Sequence, residues 1–377
     1  MDANELAILS VDDLGLDPLT AFARLRTFTP GRAAFLLESL SFDGEPGRYS
    51  VVGYRVRSCE ALLPGVDAVA AQAESYEAKP GPESFAAALA LGAVGFFSSS
   101  IASVWNRVRL FEDEGSSAMF ATGATVALFD HHAGSVTVAG PAKGRVAERC
   151  VWEMKNGPDP RPLATVEADA APPHVHADVP DEKFQARAAR AKPFLSELEA
   201  LTLARTFTTP TGQADAFDAY RALRASRPAN ANEPGFYIDF GESPVQARLQ
   251  LFGVGTSCLH QRAHAAPGPA LHEALRAALP SRAAVGAPAG DALRLVRQLE
   301  DASRQTWGGA VGVVAPGGAS SFLLGDEIVA VQHGAFWCTA GAGVTETSEP
   351  LRVGEQTRGA VAARLHAIAV AHATALL

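Results

Sequence analysis

The spacing of apolar and polar positions changes along the chain, and the changes mark its elements. Phe35-Leu36-Leu37-Glu38-Ser39 and Arg48-Tyr49-Ser50-Val51-Val52-Gly53-Tyr54 are short apolar runs separated by Asp43-Gly44-Glu45-Pro46-Gly47, which predicts two strands joined by a turn. Ala121 to Asp130 and Ser135 to Ala139 flank His131-His132-Ala133-Gly134, a second hairpin pattern. Residues 1–154 thus read mostly as strands and form one unit. From Lys155 to Pro180 the apolar period is lost among Pro158, Pro160, Pro162, Pro172, Pro173 and Pro180, which predicts a linker or a long surface crossing. His174 and His176 lie within it and read as part of a solvated loop.

Residues 181–377 mix both periods. Phe184, Ala188, Ala191, Leu195 and Leu198 recur at helical spacing behind Asp181, with Pro193 as a kink or break, and Leu201 to Thr208 follows as a strand. Phe217 to Ser226 reads as a helix, and Gly235 to Phe240 with Ala247 to Val254 as paired strands around Gly241-Glu242-Ser243-Pro244. Leu271 to Leu279 and Gly290 to Arg304 carry apolar stripes, Leu293, Val296 and Leu299 in the second, and read as helices. Ala310 to Val314, Ser320 to Leu324 and Ile328 to Gln332 are strands, and Glu355 to Leu377 is a closing helix with Val361, Leu365, Ile368 and Ala369 on one side. Strand runs with irregularly placed helices favour α+β over a βαβ repeat.

Composition narrows the function classes. With 47% hydrophobic residues over 377 positions there is apolar surface for a large core, which excludes global disorder. A formal net charge of −9 and the lack of a basic block argue against a general nucleic-acid binder. Cys59, Cys150, Cys258 and Cys338 are too far apart for a zinc motif and read as free thiols in a reducing compartment. Met1 to Asp12 has no basic start followed by an apolar core, and no apolar run approaches the roughly 20 residues of a membrane span. A cytoplasmic protein is the expectation. Gly92-Ala93-Val94-Gly95 and Gly341-Ala342-Gly343-Val344 match neither the dinucleotide nor the Walker pattern. Trp105, Trp152, Trp307 and Trp337 read as core or interface residues.

Several short words in order carry a resemblance. FLLES (Phe35–Ser39), GRYSVVG (Gly47–Gly53), GAVGFF (Gly92–Phe97) and LFDHHAG (Leu128–Gly134) stand in the first part of the chain. LTLART (Leu201–Thr206), AYRALRASRPA (Ala219–Ala229), Gly286-Ala287-Pro288, LVRQLE (Leu295–Glu300), WGGAVG (Trp307–Gly312) and AGAGVTETSEP (Ala340–Pro350) follow. Together they resemble the chorismate-utilising enzymes: component I of anthranilate synthase and of aminodeoxychorismate synthase, with isochorismate and salicylate synthases as cousins. The resemblance implies an α+β fold of two facing antiparallel sheets with outer helices, here with a reduced C-terminal half. It implies a chorismate-type ligand whose carboxylates are held by Mg²⁺ on two glutamates and by backbone amides of a Gly-Ala-Gly turn, Gly341, Ala342 and Gly343, with Gly286, Ala287 and Pro288 nearby. It also implies an amidotransferase or homologous partner subunit.

At the charged positions the chain departs from that pattern. The lysine after Gly-Ala-Pro is Ala289, the preceding threonine is Ala283, and the arginine of the strand before the Gly-Ala-Gly word is Gly325. The metal-binding glutamate before Thr357 is Gln356, an amide in place of a carboxylate, and Ala200 stands at the position that is lysine in water-adding members. Gly255-Thr256-Ser257 stands where a longer catalytic stretch begins, and Leu279-Pro280 resumes the pattern soon after. The expectation is a lost Mg²⁺ site and no cofactor.

The densest group of titratable residues, Cys258, His260, Arg262, His264, His272 and Glu273, lies at that junction. His260, His264 and Cys258 are the candidates for an acid, base or nucleophile of a new reaction, and a polar surface loop explains them equally well. Glu355 lies one step, about 100°, from Gln356 on a helix and does not replace the lost ligand. Glu38-Ser39 resembles the effector-binding strand of tryptophan-regulated members, or is a strand end with a capping serine. Two functions remain: a diverged component I that binds or converts chorismate or a related carboxylated ring, and a non-catalytic binding, regulatory or assembly subunit.

Overall fold

The structure is a computed structural model and describes residues 5–12, 14–42, 45–63, 65, 67–77, 81–112, 115–227, 233–242, 247–255, 258–262 and 270–377. Two antiparallel sheets face each other. The larger has 12 strands, ordered from one edge Leu6–Asp12, Ser135–Pro141, Thr125–Asp130, Tyr49–Tyr54, Ala34–Leu40, Gly235–Asp239, Gln250–Val254, Ile328–Gln332, Ala335–Val344, Ala200–Pro210 and Gly286–Ala287, with His176–Ala177 also on Ala200–Pro210. The smaller has 6 strands, ordered Cys258–Arg262, Ser320–Leu324, Ala310–Val314, Ala93–Phe97, Ala118–Thr122 and Ser58–Leu62.

Alternation along these strands builds three apolar layers. Phe35, Leu37, Val94, Phe96, Val311 and Leu203 meet between the sheets. Behind the large sheet, Phe22, Cys150, Tyr220 and Ile368 of helices Pro18–Thr27, Val146–Asn156, Ala216–Ala225 and Pro350–Thr374 cover Leu36, Val52 and Phe252. Behind the small sheet, Val69, Ile101 and Leu275 of helices Ala68–Glu77, Ser100–Trp105 and Leu271–Ala278 cover Phe97 and Phe322. Both sheets mix strands from the two halves of the chain. Phe35 pairs with Ile238 in the large sheet, and Gly95 with Gly312 in the small one.

The Pro-rich stretch 155–180 crosses the surface and is tied down along its length. Arg24 Nη2 reaches Asp159 at 2.7 Å, Arg161 Nη2 reaches Asp218 at 2.7 Å, and Ala164 N–H donates to Thr374 Oγ1 at 3.0 Å. Helix Asp181–Ala191 passes into a 3₁₀ turn, Lys192–Glu197, where Pro193 removes a donor.

Three expected elements differ. The run from Ala121 to Asp130 is two strands in different sheets, parted at Gly123, whose φ of +68° turns the chain. The helix expected to reach Arg304 ends at Leu299, because Glu300 and Arg304 are drawn into the core as an ion pair. Gly341-Ala342-Gly343 is not a turn: it is the interior of strand Ala335–Val344, with Gly341 opposite Ala204 and Gly343 opposite Thr202.

Candidate functional site

The Gly341 strand lies beside Ala200–Pro210; Trp307 lies over Gly341, whereas Gly343 is exposed and a Cβ there would meet nothing within 4 Å. A Cβ built on Gly341 would lie 2.7 Å from the indole of Trp307 and 2.7 Å from the Thr202 methyl. Glycine is required there because the ring rests on bare backbone. Trp307 is 4% exposed, and its Nε1 donates to Asp326 O at 2.7 Å. The indole is thus packed and hydrogen-bonded, as a buried tryptophan needs to be.

Beside the ring, Arg304 and Glu300 form a buried ion pair. Arg304 Nε donates to Glu300 Oε2 at 2.7 Å and Nη2 donates to Thr202 O at 2.7 Å, while a further guanidinium N–H donates to Ala284 O. Glu300 Oε1 accepts from Ala204 N–H at 2.7 Å. The guanidinium carbon lies 5.2 Å from the Trp307 ring centroid, so the cation also faces the indole. Each charge is paired and hydrogen-bonded, the condition under which buried charges are tolerated. None of these groups is left over for a ligand.

Further along, Asp178 Oδ1 accepts from Thr206 N–H at 2.9 Å. Burial pushes the Asp178 carboxyl up, against the N–H groups of Thr206 and Val179 that favour its ionised form. An open cleft of about 590 Å³ runs past the outer side of this cluster, against Phe111, Arg297, Glu300 and Asp301, and the enclosed spaces next to it are small. One cavity of about 30 Å³ lies between Ala284, Arg304, Trp307 and Phe111, and another of about 100 Å³ between Asp178, Arg187, Glu300 and Thr339. Pockets for small organic ligands are roughly 300–1,000 Å³.

Gly286 and Ala287 pair with Leu201 and Ala200, and Pro288 caps helix Ala289–Leu299. They stand at the end of the same strand as Thr202, so the two Gly-Ala words are brought to one place. The junction residues are not brought there. Cys258 is exposed on Cys258–Arg262, the edge strand of the small sheet. The imidazole of His260 and the whole of His264 lie outside the described residues. His272 Nε2 is 3.1 Å from Asp67 Oδ2, which also accepts from Trp105 Nε1 at 2.8 Å. Burial alone would raise the Asp67 carboxyl; Ala70 N–H, Trp105 and His272 outweigh it and hold it below the usual range. His272 thus bridges two helices. Glu38 is buried, accepts from the Tyr220 hydroxyl and lies 3.7 Å from Arg224; burial pushes its carboxyl up despite both partners. Ser39 has φ +56°.

The sequence profile of the chorismate binding enzymes matches residues 260–352. Anthranilate synthase component 1 of Streptomyces coelicolor is 25% identical over 467 aligned positions, covering 96% of this chain and 88% of that protein. Anthranilate synthase component I of Streptococcus pneumoniae superposes with a TM-score of 0.65 at 16% identity, over 86% of this chain and 94% of that one. The menaquinone-specific isochorismate synthase of Escherichia coli does so with a TM-score of 0.65 at 12% identity, over 96% and 94%. The chain is thus similar in sequence to the chorismate-utilising enzymes and shares their fold. The alignment with the Streptomyces protein runs over more positions than the 377 residues present here, so that relative carries segments this chain lacks.

The positions where the resemblance puts charge have different surroundings. Gln356 is exposed on helix Pro350–Thr374, and Glu355 beside it is exposed and 3.2 Å from Arg352. Thr357 is buried, its Oγ1 accepting from Arg205 Nε at 2.9 Å. A Cβ on Gly325 would lie 3.1 Å from Thr306 O, so even the root of a side chain is tight there. Ala283 is exposed, and Ala289 opens its helix. Among the described residues, no three His, Cys, Asp or Glu side chains converge on one point.

The core reading of Trp307 holds, but its place over Gly341 and the ion pair of Arg304 with Glu300 were not foreseen. The charged pair had a signal, an acid and a base four residues apart at a helix end, and the tryptophan stood in the quoted word Trp307–Gly312.

Proposed function

We propose that this chain is a diverged homologue of component I of anthranilate or aminodeoxychorismate synthase that no longer carries out Mg²⁺-dependent chorismate conversion. The single observation that supports this most is the Trp307 indole resting on Gly341 and Thr202. It occupies the space over Gly341, one of the residues to which the resemblance assigns a carboxylated ring, while Gly343 stays exposed. Three further features agree. The cavity lined by the indole itself, about 30 Å³, is too small for that ring. The buried guanidinium and carboxylate nearest to it neutralise each other. The side chain at the metal position is the Gln356 amide, and carboxylates rather than amides are what hold Mg²⁺.

With that cradle closed, the role left to the fold is that of a binding, regulatory or assembly subunit. Conversion of a related carboxylated ring would require a site elsewhere on the chain. The direct test is incubation of the purified chain with chorismate, Mg²⁺ and an ammonia source. The expected result is unchanged chorismate, with neither an aminated nor a hydroxylated product; catalytic turnover that is abolished by chelating Mg²⁺ would contradict the proposal.

A further inference from the structure

A second opening lies away from the Gly341 strand. Ala34–Leu40 runs antiparallel to both of its neighbours, with Ala34 opposite Asp239 and Phe35 opposite Gly53. The segment leading into this strand, Gly31–Ala33, therefore lies at the same end of the sheet as the segments leaving the other two, Val56–Cys59 and Phe240–Glu242. Together they line a cleft of about 580 Å³, within the range of small-ligand pockets. It sits where the chain leaves the large sheet at Tyr54 and enters the small one at Ser58. Glu38 and Ser39 are at the opposite end of the same strand.

The floor of the cleft is apolar: Ala33 and Phe240 are buried, and Val56 and Cys59 are half-buried. Burial, with the Asp239 charge adding, pushes the Cys59 thiol up to about 12, so it stays neutral. The rim carries two exposed guanidinium groups, Arg32 and Arg57. Most arginines of this acidic protein sit on carboxylates, yet these two have no ion pair and no side-chain hydrogen bond among the described residues. The nearest buried carboxylate cannot serve them, since Asp239 is taken up by Arg248, Gln250 and the Gly241 N–H. The stem of Arg57 packs over Gly123, where a built Cβ would lie 3.0 Å from Arg57 Cδ, and this holds the side chain in place. Glu242 is the carboxylate on the rim.

From this juxtaposition of unpaired guanidinium groups over an apolar floor, we infer that the cleft binds a small organic anion, its carboxylate or phosphate between Arg32 and Arg57 and its apolar body on Phe240 and Val56. Arginine suits this because its fork of donors matches both oxyanions. The inference is independent of whether the Trp307 cradle is closed.

The test is calorimetry on the full chain with three probes: benzoate, phenyl phosphate and inorganic phosphate. Binding of at least one aromatic probe, more tightly than inorganic phosphate and weakened by salt, is expected. Benzoate binding alone identifies a carboxylate site and phenyl phosphate alone a phosphate site. R32A and R57A, both at exposed positions, should each lower affinity by about tenfold or more, as loss of a charged hydrogen bond does. E242Q should raise affinity by removing a like charge, an effect that a purely structural role for Glu242 would not produce. Failure of every probe to bind, or binding unchanged in R32A and R57A variants that keep the parent melting temperature, overturns the inference.

Discussion

Trp307 fills the space over Gly341. Its ring is buried, hydrogen-bonded to Asp326 O and in contact with bare backbone, so it is part of the core at a place where the family pattern implies a ligand. Replacing it with alanine, W307A, should lower stability by about 3–5 kcal/mol, measured by chemical denaturation, because the surrounding groups cannot collapse fully into the space. Indole should then raise the melting temperature of W307A and leave that of the parent unchanged, since an apolar engineered cavity takes up a matching apolar molecule. A second residue-scale expectation concerns acid. The Asp181 carboxyl is held below its usual range, first by the hydrogen bond from Arg205 and further by the charges of Arg205 and Arg358. The unfolded carboxyl, at about 3.9, takes up a proton before the folded one, so the stability it contributes is present above that value and is lost as pH falls through the lower folded value. D181N should therefore be destabilised at neutral pH, and the gap between its urea midpoint and that of the parent should narrow as the pH is lowered below about 4. At this scale the sequence was partly readable. The absent charges at Gln356, Ala289 and Gly325 could be seen, but a tryptophan has the same apolar signature over a ligand site as in a core, and only its neighbours in space tell the two apart.

Among the elements, strand Ala200–Pro210 shows how side chains finish a sheet edge. One side pairs along its length with Ala335–Val344. The other is paired by backbone only at its ends, with Gly286–Ala287 and with His176–Ala177. Between them Arg304 donates to Thr202 O, Glu300 accepts from Ala204 N–H and Asp178 accepts from Thr206 N–H. Buried backbone polar groups must find partners, and here ionised side chains supply them. E300A should therefore speed hydrogen exchange at the Ala204 amide far more than at amides facing Ala335–Val344. It should also lower stability by about 3–5 kcal/mol, because Arg304 is left buried without its partner. Periodicity located most of these elements: Ala310–Val314, Ser320–Leu324 and Ile328–Gln332 have the bounds their alternation gave. It failed where a glycine was read as a turn. Gly341 is in a strand where the Trp307 ring and the Thr202 methyl need the space, a tertiary cause that local sequence does not carry.

For the whole molecule, the layers survive, and the proposal is that the cradle between them is closed. The α+β class and the two antiparallel sheets were legible because ordered family words run through both halves of the chain, and the sheets indeed interleave those halves. No helix among the described residues is long and apolar enough to cross a membrane. What the words could not convey is volume: the distance between facing sheets depends on which side chains fill it, and cavities of about 30 and about 100 Å³ are set by Trp307, Arg304 and Glu300 together. The most direct test of the closed cradle is calorimetric titration of the purified chain with chorismate, with and without Mg²⁺. The account predicts no Mg²⁺-dependent heat of binding; saturable chorismate binding that appears only when Mg²⁺ is present would contradict it.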